Sequence, residues 1–122
     1  MVIYTTEGLR KISRIFDLYE NDPTALNWND LGLVRDHIKA EESRWLDLAY
    51  IIADRLNCQP TFLEMVTEDT INRCQSAYSK WIAGNARPSD MPDAMLYCTI
   101  QADLWSDELE ILNQFIKAKA ET

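Results

Sequence analysis

The stretch PDAMLYCTIQADLWSDELEILNQFIKAK, residues 92–119, decides the fold. Met95, Cys98, Ala102, Trp105, Leu109, Leu112 and Ile116 recur in it at alternating steps of three and four, the spacing that draws one apolar stripe along an α-helix. Pro92 falls in the first turn, where the missing N–H of proline costs no helical hydrogen bond. The spacing predicts one helix of about 26–28 residues, roughly 40 Å at 1.5 Å per residue. Leu96, Ile100, Leu104, Ile111 and Phe115 widen the apolar surface beyond what one neighbouring helix covers. Such a helix is central to a bundle, pairs with a second copy through 92–119, or does both.

Working outward, residues 5–20 place Leu9, Ile12, Phe16 and Tyr19 on one stripe with Ile15 alongside, and Asn21-Asp22-Pro23 ends it. From Asn29 or Asp30, both good N-caps, Leu31, Val34 and Ile38 open a second pattern, continued by Trp45, Leu48, Ile52 and Leu56. The phase skips a contact between Ile38 and Trp45, so 30–57 reads as two helices that meet near Glu41-Glu42-Ser43, in preference to one long helix. Pro60-Thr61-Phe62-Leu63-Glu64 has the form of a capping-box start, with a second start available at Thr67. Ile71, Cys74, Tyr78, Trp81 and Ile82 continue one face to Gly84, a good residue for closing a helix. No sustained alternation competes anywhere. The expectation is an all-α fold, a small bundle of four to five helices with a long C-terminal helix, in a single domain over 1–122.

A chain of 122 residues, 47% of them hydrophobic, buries a core without a metal or disulfide staple. Cys58, Cys74 and Cys98 are odd in number and form no Cys-x-x-Cys pair, so they read as reduced core thiols of a cytoplasmic protein. The first residues carry no signal-peptide pattern and no segment is apolar enough to span a membrane. A net charge of −8 argues against direct binding to nucleic acid or to an anionic membrane.

Catalytic signatures are missing. The single histidine, His37, excludes paired-histidine metal sites, and His37 with Glu41 one turn on reads as a solvated pair more readily than as a metal edge. Gly8, Gly32 and Gly84 build no phosphate-binding loop, and no serine or cysteine stands in a nucleophile motif. Asp47 and Asp54 fall near the edges of their stripe and read as solvated carboxylates. No catalytic residue, metal or cofactor is assigned, and the chain reads as a non-enzyme.

Charge placement says more. Between Arg87 and Lys117 stand Asp90, Asp93, Asp103, Asp107, Glu108 and Glu110, without one Lys or Arg. At 100° per residue Asp103, Asp107 and Glu110 share the face opposite the apolar stripe, as a single-sign ladder with steps of roughly 6 and 4.5 Å. Such a ladder is either a solvated face or a surface aimed at a basic partner, including a protein that normally holds DNA or RNA. Trp45 and Trp105 sit on core stripes. Trp28, between Asn27 and Asn29 of a polar loop, reads either as a plug for the bundle end or as an exposed interface anchor.

Tyr97-x-x-Ile100-x-x-Asp103-Leu104-Trp105-x-Asp107, followed by Leu112-Asn113-x-Phe115-Ile116, resembles the last helix of the Ocr-type phage antirestriction family. The N-terminal helix ending in Glu20-Asn21, and Asp30-Leu31 opening the next, are loosely similar. Members of that family are all-α dimers whose acids mimic DNA and occupy the DNA site of restriction enzymes. This chain differs in carrying less acid and a further helical segment over 61–84. The resemblance implies an inhibitor, antirestriction or anti-CRISPR-like, that binds the basic groove of a nucleic-acid-processing enzyme; the charge placement makes Asp90, Asp93, Asp103, Asp107, Glu108 and Glu110, with Trp28 as an exposed anchor, the candidate partner-binding residues. The alternative is a small dimeric structural or adaptor subunit whose acids only solvate it.

Overall fold

A computed structural model describes the backbone over residues 6–121 and the side chains over 14–121 apart from residue 23. Among the described residues there are four α-helices and no strand: α1 Thr6–Asn21, α2 Trp28–Arg55, α3 Glu68–Ile82 and α4 Met91–Ala120. The all-α class and the long C-terminal helix expected from the sequence are therefore present. Short 3-10 turns at Pro23–Ala25 and Pro88–Asp90 precede α2 and α4. The packing divides into two compact units, one taking the chain up to Ala40 together with Ser106 onward, the other Glu41–Trp105.

In the first unit, α1 buries Ile15; Leu9 and Ile12 of its expected stripe lie outside the described side chains. The helix ends at Asn21, whose side-chain amide donates to the Asp17 carbonyl at 2.8 Å before the proline at 23 diverts the chain. Leu31, Val34 and Ile38 of α2 and Leu112 of α4 complete the buried apolar set with Leu26. The start of α2 corrects the expectation of a cap at Asn29 or Asp30. Asn27 is the cap: its side-chain oxygen accepts the Asp30 N–H at 2.8 Å, which makes Trp28 the first helical residue instead of a loop residue.

The expected break near Glu41-Glu42-Ser43 is absent, since α2 runs unbroken for 28 residues. Ile38 and Trp45 are two turns apart and both buried, so the helix keeps its phase. Glu41, between them, pairs along the helix with Arg44 at 2.9 Å. The skipped apolar contact marks where one packing unit gives way to the other, while the backbone continues.

The second unit is built around Trp45, Ala49, Ile52 and Ala53 of α2, Ala77 of α3, and Ala94, Met95, Cys98 and Ala102 of α4. The alanines let backbones approach closely, and aromatic rings fill the wider gaps. Tyr78 and Tyr97 stack at 4.9 Å, and Trp45 meets Tyr78 at 5.3 Å and Tyr97 edge-on at 5.6 Å. The expected helix start at Pro60-Thr61 is also corrected. Residues 59–67 form no helix, because Phe62, Met65 and Val66 are exposed and no apolar face is buried there to support helical turns. The start available at Thr67 is the one used: its hydroxyl accepts the Thr70 N–H at 3.2 Å, and Glu68 and Asp69 suit the positive end of α3.

Gly84 closes α3 as expected, at φ 78°. The Asn85 N–H bonds the Lys80 carbonyl at 2.8 Å and the Gly84 N–H that of Trp81 at 3.1 Å. The same two-bond closure ends α2, with Asn57 at φ 54° in the glycine position. Over Ala94–Ala102 α4 buries Ala94, Met95, Cys98, Thr99, Ile100 and Ala102 and leaves Leu96, Tyr97 and Gln101 half-buried; the Thr99 hydroxyl donates to the Leu96 carbonyl at 3.0 Å. Beyond Trp105 only one side is covered, by way of Leu109, Leu112, Phe115 and Ile116, and Leu104 and Ile111 are exposed.

Gly84→Ala should cost about 1 kcal/mol from the left-handed backbone alone, since a Cβ there meets nothing within 4 Å. Asn57→Gly should be neutral or stabilising. Urea unfolding of the two variants checks both signs.

Candidate partner-binding surface

The six acids between Arg87 and Lys117 divide by what they do. Asp90 closes the turn that launches α4: its carboxylate accepts the Arg87 N–H at 3.0 Å, and its own N–H bonds the Arg87 carbonyl at 2.9 Å. Asp93, in the first turn of α4, pairs with the Arg73 guanidinium of α3 at 3.2 Å and is mostly covered. Both therefore serve the packing of α3 and α4.

Asp103, Asp107, Glu108 and Glu110 are exposed on α4. Asp107, Glu108 and Glu110 make no ion pair among the described residues. Glu108 acts on α1: Tyr19 is held above its ordinary phenol value first by burial and then by the Glu108 charge. The Glu108 charge thus acts at the last turn of α1, near which Asp17, Glu20 and Asp22 are exposed and which itself carries no basic residue. Sequence reasoning missed these three acids as part of the surface. The available signal was a helix C-terminus furnished with acid, against the preference of the helix dipole for cations.

Trp28 is 53% exposed, and the Lys119 ammonium lies over its ring at 5.5 Å from the centroid. Lys119 follows Glu110 by nine residues, about 13 Å along the axis. The structure thus sets Trp28 beside the basic last turn of α4 and does not bring it together with the acids.

Other candidate chemistry is dispersed. The His37 ring packs edge-on against Phe16 at 5.2 Å, while Glu41 is engaged by Arg44. No group of three or more His, Cys, Asp or Glu placed to hold a metal occurs among the described residues. No helix among them is long and apolar enough to cross a membrane. Cys74 and Cys98 are buried as expected, but Cys58 is exposed, a correction that follows from its place just beyond the Asn57 turn, where the chain has left α2. Burial raises the Cys74 thiol, with Asp93 adding to it and Arg73 opposing, and pushes Cys98 from 9.0 up to about 12 against the pull of Arg44. Buried neutral thiols of this kind are poor nucleophiles.

No protein-family model, no curated protein and no solved structure matches the chain. The functional reading rests on the residues themselves.

The shift at Cys98 carries a sign. Its folded value lies above the unfolded one, so its stabilising effect is full below about pH 9 and is lost as pH rises toward 12. The urea midpoint should fall between about pH 8 and pH 10, and Cys98→Ala should flatten that fall while lowering stability at neutral pH. An equal slope in the variant would contradict the assignment.

Proposed function

We propose that the chain is a non-catalytic, acidic helical binding protein that occupies the basic nucleic-acid groove of a target enzyme, as a phage-type antirestriction or anti-CRISPR-like inhibitor. One observation carries the reading: the exposed acids of α4, Asp103, Asp107, Glu108 and Glu110, stand in a run of sequence with no cation, while the covered acids Asp90 and Asp93 are spent on packing. Exposed carboxylates of one sign on a rigid helix repel one another, and a cationic groove relieves that repulsion as its own counterions are released. The resemblance of this helix to the Ocr-type family points the same way.

A second reading, the dimeric adaptor, draws support from Leu104 and Ile111, two large apolar side chains left exposed on α4.

One experiment separates them. Asp103→Asn, Asp107→Asn and Glu110→Gln together remove three charges and keep the size of each side chain. For the inhibitor, association with the enzyme that co-purifies with the tagged chain should slow about tenfold or more at about 50 mM salt, with little difference left at about 300 mM. Stability should scarcely change. An unaltered rate and salt dependence would mean that the ladder only solvates the helix, and the adaptor reading would stand in its place.

A further inference from the structure

The outward face of α2 in the second unit has the makings of a docking surface separate from the acids of α4. Asp47, Tyr50, Ile51 and Asp54 follow the spacing i, i+3, i+4, i+7, which stacks them on one helical face, and all four are exposed. Tyr50 is 55% and Ile51 46% exposed, on the same helix whose opposite side buries Ala49, Ile52 and Ala53. An open groove of about 450 Å³ is lined by Tyr50, Ile51, Asp54, Cys58 and Gln59. The face therefore combines two apolar side chains, one of them a tyrosine of the kind enriched at binding hot spots, with a carboxylate at each end. The carboxylates stand about 10 Å apart along the axis.

Charge selects the occupant. Neither Asp47 nor Asp54 has an ion-pair partner among the described residues. Asp54 also occupies the last turn of α2, where the helix dipole disfavours an acid and favours a cation. Arg55, the cation of that turn, is exposed and follows Ile51 by four residues. A second copy is a poor fit: pairing about a two-fold axis would set Asp47 and Asp54 of one chain against the same acids of the other.

We propose that this face docks a basic amphipathic helix of a protein partner, with an apolar side chain seated between Tyr50 and Ile51 and a Lys or Arg against each of Asp47 and Asp54. The site is independent of the inhibitor reading.

The test uses the full chain and a dye-labelled synthetic helix with leucines on one face and a lysine one turn to either side. A copy with glutamate for lysine is the control. The lysine helix should bind saturably, slow the alkylation of exposed Cys58, and bind the α4 triple variant equally well. Tyr50→Ala with Ile51→Ala should weaken it about tenfold or more. Asp47→Asn with Asp54→Asn, which leaves the apolar contacts in place, should weaken it too and flatten its salt dependence. No binding, equal binding of the glutamate helix, unchanged alkylation of Cys58, or full affinity in either variant would overturn the proposal. So would self-association of the chain that Ile51→Lys abolishes, which would give the face to a second copy.

Discussion

Three rings hold the second unit together. Trp45 of α2, Tyr78 of α3 and Tyr97 of α4 meet pairwise within 4.9 to 5.6 Å, so that each helix contributes one ring to a common junction. Each such pair contributes roughly 0.5–1.5 kcal/mol beyond the area it buries. α3 reaches the junction after a stretch with no regular structure, and besides Tyr78 it gives the core Cys74, Ala77 and the half-buried Trp81. Arg44 lies over the Trp45 ring at 4.6 Å and is steadied by Glu41, so charged groups at this point of α2 brace the aromatic one.

With α2 and α3 gathered there, the first half of α4 becomes a core helix, which buries Ala94, Met95, Cys98, Thr99, Ile100 and Ala102. The second half belongs to the other packing unit and is covered on one side only. That contrast gives the acids their two roles. Asp90 and Asp93, where α4 enters the core, are consumed by a turn and an ion pair. Asp107, Glu108 and Glu110, where the helix surfaces, face water, and Glu108 reaches the acid-rich end of α1 through Tyr19.

Periodicity made the helices α1 and α4 legible, and for α4 also the buried face, because a stripe repeated over several turns specifies both. Where local signals competed, tertiary packing chose between them. Thr61 and Thr67 both offer a cap, and only the second is followed by residues that bury, Cys74 and Ala77. The lapse between Ile38 and Trp45 was visible, but a gap in apolar phase does not distinguish a broken helix from a continuous one passing between two cores. The acidic run was legible as a run. Its division was not, since the roles of Asp90 and Asp93 depend on a backbone N–H at Arg87 and on Arg73 of another helix. The placement of Trp28 under Lys119 likewise joins residues far apart in sequence.

α4 is one uninterrupted helix, a core element in its first half and a surface element in its second. Residue-resolved amide exchange by NMR tests it most directly. Helical chemical shifts should run without a break from Met91 to Ala120, with the slowest exchange over Ala94–Ala102 and faster exchange beyond Ser106. Loss of helical shifts near Trp105, or protection at Asp107–Ile111 equal to that at Ala94–Ala102, would contradict it.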